Sequence, residues 1–453
     1  MQDLTTGSIT RHLLKTTSYM LVSMVFQTLY FLVDLYWVGH LGKEAVAGVG
    51  VAGNLTFIVL AITQMLAVGT TTLVSHAVGT KDKERATLVF NQSLTLGAVV
   101  AIIFLVIGMA VRTTYAESLS ADRETARLAG EYLLWFIPAM ALQFGIVGMG
   151  AALRGTGNFK PGMIVQTATV VLNMLCAPFL IFGWGTGYAM GVAGAAVATL
   201  IAVFVACIWL STYFFDPSAY LHFRRALWRP QFRLWRDMLK VGLPAGAEFA
   251  LTAVYLFFVY SVSRRFGAAA QAGFGVGMRV IQSGFLPVVA LGFAVAPVAG
   301  QNFGARRGDR VQSAFRTAAL LATAVMAPFT IVCFAFAAPL IRFFSDDPAV
   351  VTVGTEYLRI VCWSFVGSGV VFVSSSLFQA LGNSLPALAT SFGRVVLVMV
   401  PALIMARSPS FDLHWLWLLS AAAIFTQMLA NLSLLRREFR LRLPARQPAD
   451  ARA

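Results

Sequence analysis

The chain is 453 residues long, 58% hydrophobic and only 12% charged, whereas a soluble domain carries about 25% charged residues. So little charge cannot clothe a water-exposed surface, which excludes an ordinary soluble enzyme or binding module and makes lipid the main solvent. The net charge of +15 would suggest nucleic acid in a soluble protein, but no basic helix or stacking platform stands outside the apolar segments, so no nucleic-acid partner is expected.

The residues from Met1 to Thr17 hold no short apolar core followed by a small-residue cleavage site, so no cleaved signal peptide is expected. Beyond them, segments of about 20 mostly apolar residues, the length a membrane helix needs, follow one another twelve times. They are 17–39, 45–77, 88–111, 130–152, 161–183, 190–213, 239–262, 270–301, 314–342, 357–380, 386–406 and 413–435. Gly and Pro inside several of them are tolerated, because neighbouring helices and water satisfy the freed backbone groups. Cys176, Cys207, Cys333 and Cys362 all lie inside apolar runs, and their spacing fits neither a metal site nor a disulfide framework.

Lys and Arg concentrate in alternate loops: Arg11 and Lys15; Lys81, Lys83 and Arg85; Arg154 and Lys160; the cluster from Arg224 to Lys240; Arg306, Arg307 and Arg310; and the tail from Arg436 to Arg446. The opposite loops are poorer. Positive charge stays inside, so both termini are expected in the cytoplasm of a multi-pass protein of the cell inner (plasma) membrane.

Shifting the chain by 225 residues lays it on itself. Arg11, Leu14 and Lys15 meet Arg236, Leu239 and Lys240; Gly42, Ala45, Ala47, Gly48, Gly50 and Val51 meet Gly267, Ala270, Ala272, Gly273, Gly275 and Val276. Glu131, Tyr132 and Leu133 meet Glu356, Tyr357 and Leu358, and Gly157, Asn158 and Pro161 meet Gly382, Asn383 and Pro386. One ungapped register held across Arg, Lys, Glu, Asn and Pro is not chance. The fold expected is an all-α polytopic membrane protein of twelve transmembrane helices in two pseudo-symmetric six-helix lobes, residues 1–213 and 239–435. A cytoplasmic linker, 214–238, and a basic tail, 436–453, complete the chain. Six spans is an even number, so the halves share one orientation, as in transporters built from parallel repeats.

Asp34 and Glu248 are the acids that fall well inside the spans. A charge near the bilayer centre costs about 2.5–3.5 kcal/mol on insertion scales and usually faces a cavity or a partner. Ser23, Gln27, Tyr30 and Asp34 share one helical face, as do Glu248, Thr252 and Tyr255. The repeat lays Gln27 on Thr252 and Tyr30 on Tyr255, so each half carries a polar stripe with one acid at its own depth. An apolar cavity disfavours a charged carboxylate, which suits each acid to carrying a proton. Against this, Asp34 stands only five residues before Gly39, about 8 Å at 1.5 Å per residue, and solvated interfacial charge is the alternative. Glu248 lies two turns past Lys240 and could instead pair there. Arg279, the repeat mate of Asn54, and Arg394 are in-span bases that could counter an acid, bind an anionic group or pair structurally. Gln166, Thr169 and Asn173 share a face of the fifth span and either line a cavity or bond a neighbouring helix. No P-loop, HExxH or GxSxG motif occurs, so no enzyme activity, cofactor or resident metal is expected, and energy should come from an ion gradient.

These residues resemble the multidrug and toxic compound extrusion family over nearly the whole chain. The likeness rests on Asp34 in LVDLYWVGHLGKEAVAGVG, on ALRGTGNFKPGM, LNMLCAPFLIFG and GVAGAAVAT, and on GLPAGAE. It implies two six-helix lobes around a central cavity and export of small organic cations or amphipathic drugs against protons or sodium. The family's first-helix acid corresponds to Asp34. In the DinF-like branch it works with a fifth-helix Asn and a sixth-helix Thr, matched by Asn173 and Thr199, and with an Asp where this chain has Ala177. The NorM-like branch pairs a seventh-helix Glu with a tenth-helix Asp; Glu248 lies about a turn before the former, and the tenth span holds no acid. The chain therefore leans to the DinF-like side, and to protons ahead of sodium as coupling ion. A monomeric, bilayer-embedded antiporter working by alternating access is the expectation, with a flippase for a lipid-linked saccharide or other amphipathic lipid as its rival.

Overall fold

The computed structural model describes residues 2–120, 122–185, 187–408 and 411–443; the expected basic tail beyond residue 443, Arg446 included, lies outside the described residues. Their regular structure is helical: α1 (Ile9–Gly39), α2 (Lys43–Gly53), α3 (Leu55–Gly79), α4 (Lys83–Leu119), α5 (Arg123–Gly155), α6 (Lys160–Phe182) and α7 (Gly191–Phe215) precede the middle of the chain. Then come α8 (Phe232–Ser263), α9 (Ala268–Gly304), α10 (Gly308–Ala335), α11 (Ala337–Arg342), α12 (Pro348–Val361), α13 (Phe365–Ala380), α14 (Leu385–Met405) and α15 (Leu413–Arg442). Among them 12 spans are long and apolar enough to cross a membrane, the number expected from hydropathy.

Several helices run one or two turns beyond the expected bounds, the first starting at Ile9 and the twelfth ending at Arg442, and three spans differ in course. The second breaks at Asn54, where hydrogen bonding tightens to i→i−3 (Asn54 N–H to Val51 O, 3.4 Å); Gly53 and Asn54 are weak helix formers that favour such a step. The ninth ends at Ala335 instead of running to 342, because Pro339 has no N–H to give the Ala335 carbonyl. The tenth starts at Pro348 and is interrupted by a 3-10 turn at Cys362–Ser364.

The chain divides into two compact units: Met1–Asp3 with Ser18–Gly246, and Leu4–Thr17 with Ala247–Ala453. The borders fall inside α1 and α8, not at the 214–238 segment read as a linker. That segment is packed into the first unit. Asn91, fully buried on α4, gives both amide protons to carbonyls, Thr87 O at 2.8 Å and His222 O at 2.9 Å. Its Oδ1 accepts from Arg224 N–H at 3.0 Å and from Trp228 Nε1 at 2.9 Å. Gln92 does the same for Arg229 O (2.7 Å) and Gln231 N–H (2.9 Å). Further along, backbones cross closely: a Cβ on Gly69 would lie 2.6 Å from Met238 O, and one on Gly246 2.6 Å from Ala61 O. Small residues let membrane helices approach this way.

The second unit clasps residues 4–7 in turn. Gln301 Oε1 accepts from Leu4 N–H (3.0 Å) and Asn302 Nδ2 donates to Leu4 O (3.0 Å). Arg307 and Arg310 donate to Thr5 O (2.7 Å) and Gly7 O (2.9 Å). The 225-residue shift carries Leu4–Gly7 onto Arg229–Phe232, so each unit holds the segment that opens the other half's first helix.

Inside each unit the repeat extends to backbone detail. Gly42 and Gly267 take φ of 110° and 92°, Gly157 and Gly382 take 77° and 75°, and Lys81 and Arg306, though not glycines, take 59° and 57°. Asp122 caps α5 through Thr125 N–H (2.8 Å) as Asp347 caps α12 through Ala349 N–H (2.8 Å). The most enclosed span of the first unit is α5, with 67% of its apolar window buried; in the second it is the equivalent α12–α13 span, with 72%.

Candidate cation-coupling site

In the first unit, Tyr30 on α1 reaches Thr199 on α7, with Oη and Oγ1 3.0 Å apart. Asn173 on α6 donates to the same Oγ1 at 3.2 Å, and the Thr199 hydroxyl lies 3.2 Å from Ala195 O. A hydroxyl offers one proton and two lone pairs, so Thr199 gives its proton to Ala195 O and accepts from both Asn173 and Tyr30. Asn173 and Thr199 are buried, and helix spacing on α1 sets Asp34 one turn beyond Tyr30. One carboxylate oxygen of Asp34, Oδ1, is buried and has no hydrogen-bond partner among the described residues. Tyr30 and Tyr132 both lie within electrostatic reach of it. An unpartnered buried carboxylate oxygen is unusual, since lost hydrogen bonds to charged groups are expensive.

The expected companions divide. Thr169 shares the half-buried face of α6 with Gln166, but its hydroxyl is taken by Val165 O at 2.6 Å. Gln27 and Asn54 are exposed and join neither Asp34 nor Thr199. Ala177 is buried and brings no oxygen.

In the second unit, Glu248 does not pair with Lys240 among the described contacts. Its Oε1 accepts from Ser375 on α13 (2.9 Å) and Ser391 on α14 (3.0 Å), and Ser391 accepts from Gln427 on α15 (3.0 Å). Arg394 lies within electrostatic reach of Glu248, beneath the α14 turn that carries Ser391, with its guanidinium carbon 5.5 Å from the Tyr255 ring centre. Tyr255 donates to Ser420 on α15 at 2.9 Å. The two tyrosines, related by the repeat, thus each hold a hydroxyl on the sixth span of their own half. Thr252 is exposed and its hydroxyl turns back to Glu248 O at 3.2 Å, while Arg279 is exposed on α9.

Sequence reasoning missed Ser375, Ser391 and Gln427. The run Ser374-Ser375-Ser376 in an otherwise apolar span was the available signal. No group of three or more His, Cys, Asp or Glu able to hold a metal occurs among the described residues. The Thr199 hydroxyl near Asp34 is committed to Tyr30, Asn173 and Ala195 O, whereas a hard cation wants several oxygen ligands.

A family model described as MatE matches residues 20–179 and 244–404, the two halves of the repeat. The chain is 25% identical over 416 residues to the probable multidrug resistance protein YoeA of Bacillus subtilis (strain 168), covering 90% of each. It is also 25% identical over 417 residues to the probable multidrug resistance protein NorM of Thermotoga maritima, covering 90% of this chain and 88% of that one. Among solved structures, a MOP-superfamily transporter of Pyrococcus furiosus superposes with a TM-score of 0.89 at 22% identity over 98% of both chains, a likeness of fold.

Proposed function

The chain belongs to the MatE family, and from that premise we propose that it exports cationic or amphipathic organic compounds in exchange for protons, by alternating access, with Asp34 as the proton carrier. The observation that carries the reading is the buried, unpartnered Oδ1 of Asp34 beside the Tyr30–Thr199–Asn173 cluster. A proton from outside neutralises Asp34, removes a charge from the first-lobe interior and lets α1, α6 and α7 repack; loss of the proton inward restores the charge. Exchange requires that proton and substrate each weaken the binding of the other. Names given to the relatives, multidrug resistance proteins, support the substrate class. Protons come before sodium because Ala177 leaves the site one oxygen short. Lys/Arg bias supports cytoplasmic termini in a plasma membrane, and nothing in the reading calls for more than one copy.

The test is a proteoliposome under an imposed pH gradient without sodium, following a fluorescent cationic dye. The native protein is expected to move dye, and Asp34→Asn to lose gradient-driven transport while keeping dye binding. Transport undiminished in Asp34→Asn moves the coupling to Glu248 or elsewhere. Dye that never moves, even with sodium supplied, turns the reading to the amphipathic-lipid flippase.

A further inference from the structure

Near the end of α15 a groove of about 360 Å³ opens against α10. Three arginines stand over it, Arg316 on α10 and Arg436 and Arg440 on α15. All three are exposed, and among the described residues none forms an ion pair. The nearest acid on α15, Glu438, is committed elsewhere: it meets Arg442 at 2.7 Å and Asn383 at 2.9 Å. The floor is apolar. Phe315 and Phe439 meet edge to face with ring centres 6.3 Å apart, and Leu432 completes it. Along the same helix faces, four residues past Arg316 and three before Leu432, Leu320 and Leu429 are 71% and 61% exposed. The groove is thus cationic at one end and continues into bare hydrocarbon-facing surface at the other.

Depth fixes what such a groove meets. α15 has 30 residues, about 45 Å at 1.5 Å per residue, against a hydrocarbon core of about 30 Å. Its last turns therefore reach the headgroup layer, and Arg316, eight residues into α10, lies about 12 Å from that helix's start. A guanidinium fork suits a phosphodiester better than an ammonium does. Soluble anions make no use of the apolar floor or of the exposed Leu320 and Leu429.

We propose that this groove binds the headgroup of an anionic phospholipid, its phosphodiester between Arg316, Arg436 and Arg440 and an acyl chain along Leu432, Leu429 and Leu320. That the leaflet is the cytoplasmic one rests on the orientation proposed above; the site itself does not. Basic recesses between spans on that side suit anionic headgroups.

The experiment uses delipidated full-length protein in detergent and native mass spectrometry, titrating in phosphatidylglycerol, phosphatidylcholine or inorganic phosphate. One copy of phosphatidylglycerol is expected to be retained well above phosphatidylcholine. At about a factor of 5 in affinity per basic residue, the triple variant R316Q/R436Q/R440Q is expected to bind it on the order of a hundredfold more weakly. The triple lysine variant, which keeps charge but not the fork, is expected to fall between, and it stands in should the glutamine variant not fold. Equal retention of the two lipids overturns the proposal. So does a variant that binds phosphatidylglycerol as the native protein does, or inorganic phosphate that displaces the lipid at equal concentration. The readout involves neither transport nor sidedness, so failure of the antiport reading leaves it standing, and the reverse.

Discussion

Asn91→Ala is the perturbation whose size the structure specifies best. The Asn91 amide uses both protons and both acceptor sites, on Thr87 O, His222 O, Arg224 N–H and Trp228 Nε1. Alanine removes all four bonds. The Thr87 carbonyl keeps its place within α4, but three groups of the 222–231 segment lose their partner together. At about 1 kcal/mol net for each bond, the segment should be loosened by about 3 kcal/mol, or roughly a hundredfold at 1.4 kcal/mol per decade. The assay is amide hydrogen exchange in detergent, comparing peptides covering 222–231 with peptides from α5. Protection is expected to fall about a hundredfold in the segment and little in α5. The matched control is Thr95→Ala, whose hydroxyl reaches Trp228 O only at 3.4 Å on an exposed face and should change protection less than threefold, at under about 0.6 kcal/mol. Unchanged protection in Asn91→Ala, or loss of equal size in the control, would show that the segment is held by something other than the buried amides.

Other outcomes follow from the same geometry. Glu248→Ala leaves the Ser375 and Ser391 hydroxyls without their acceptor and should cost about 2 kcal/mol of thermal stability, whereas Glu248→Gln keeps an acceptor oxygen and should cost under about 1 kcal/mol; equal losses would mean that charge, not hydrogen bonding, holds the site. A Cβ on Gly273 would come 2.9 Å from Gly354 N and 3.0 Å from Val350 O, while one on Gly130 meets nothing within 4 Å. Gly273→Ala should therefore lower the unfolding midpoint by the equivalent of about 1–3 kcal/mol and Gly130→Ala should not; a reversed order would refute the close approach of α9 and α12. At the N-terminus of α5, the Thr125 N–H and then the Thr125 hydroxyl hold the Asp122 carboxyl below its ordinary range. A depressed folded value means the cap is fully present above the ordinary carboxylate range and is lost as pH falls through the depressed one. Protection at residues 123–126, taken as exchange relative to the intrinsic rate at each pH, should fall on strong acidification in the native protein and be low at every pH in Asp122→Ala; protection in the variant that still varies with pH would place the titration elsewhere.

Hydropathy and the 225-residue register made most of the fold legible, because a bilayer forces the backbone into helices and leaves length and apolarity as the only variables. The helix breaks at Asn54 and Phe336 were less so: Gly and Pro recur in many spans here and interrupt only some of them. The packing of 222–231 was hidden for a different reason. A basic stretch after a span reads as a solvated loop, and nothing local marks Asn91 and Gln92 on α4 as its anchors; buried amides announce themselves only when their partners, more than 130 residues away, are in place. Around the acids, spacing along α1 and α6 pointed to Tyr30 and Asn173 and the family resemblance to Thr199, and these do meet. The same argument also gathered Gln27 and Thr252, and charge inside a span singled out Arg279 with its repeat mate Asn54; all four are exposed, because neither periodicity nor position in a span says what a face meets.

The repeat separates scaffold from chemistry. Positions that need a special backbone, Gly42 with Gly267 and Lys81 with Arg306, keep their conformation in both halves, and the cap at Asp122 recurs at Asp347. The polar interior does not repeat so closely. Tyr30 and Tyr255 correspond, but Asp34 falls on Val259, Glu248 on Ser23 and Arg394 on Thr169. One half holds a carboxylate with a free buried oxygen and no base among the contacts of its cluster; the other holds a carboxylate already supplied with two hydroxyls and faced by a guanidinium. On the proposed reading a proton goes to the unpartnered Oδ1 of Asp34, whereas a proton on Glu248 would remove the charge that faces Arg394 and that two hydroxyls already stabilise at Oε1. Duplicated frames with unlike interiors are what an exchanger needs if only one half is to answer to the proton. On that argument Asp34→Asn should abolish the pH dependence of dye transport, and Glu248→Gln should slow transport while leaving its pH dependence in place. A Glu248→Gln protein that transports at the native rate but no longer responds to pH would assign the proton to the second half instead.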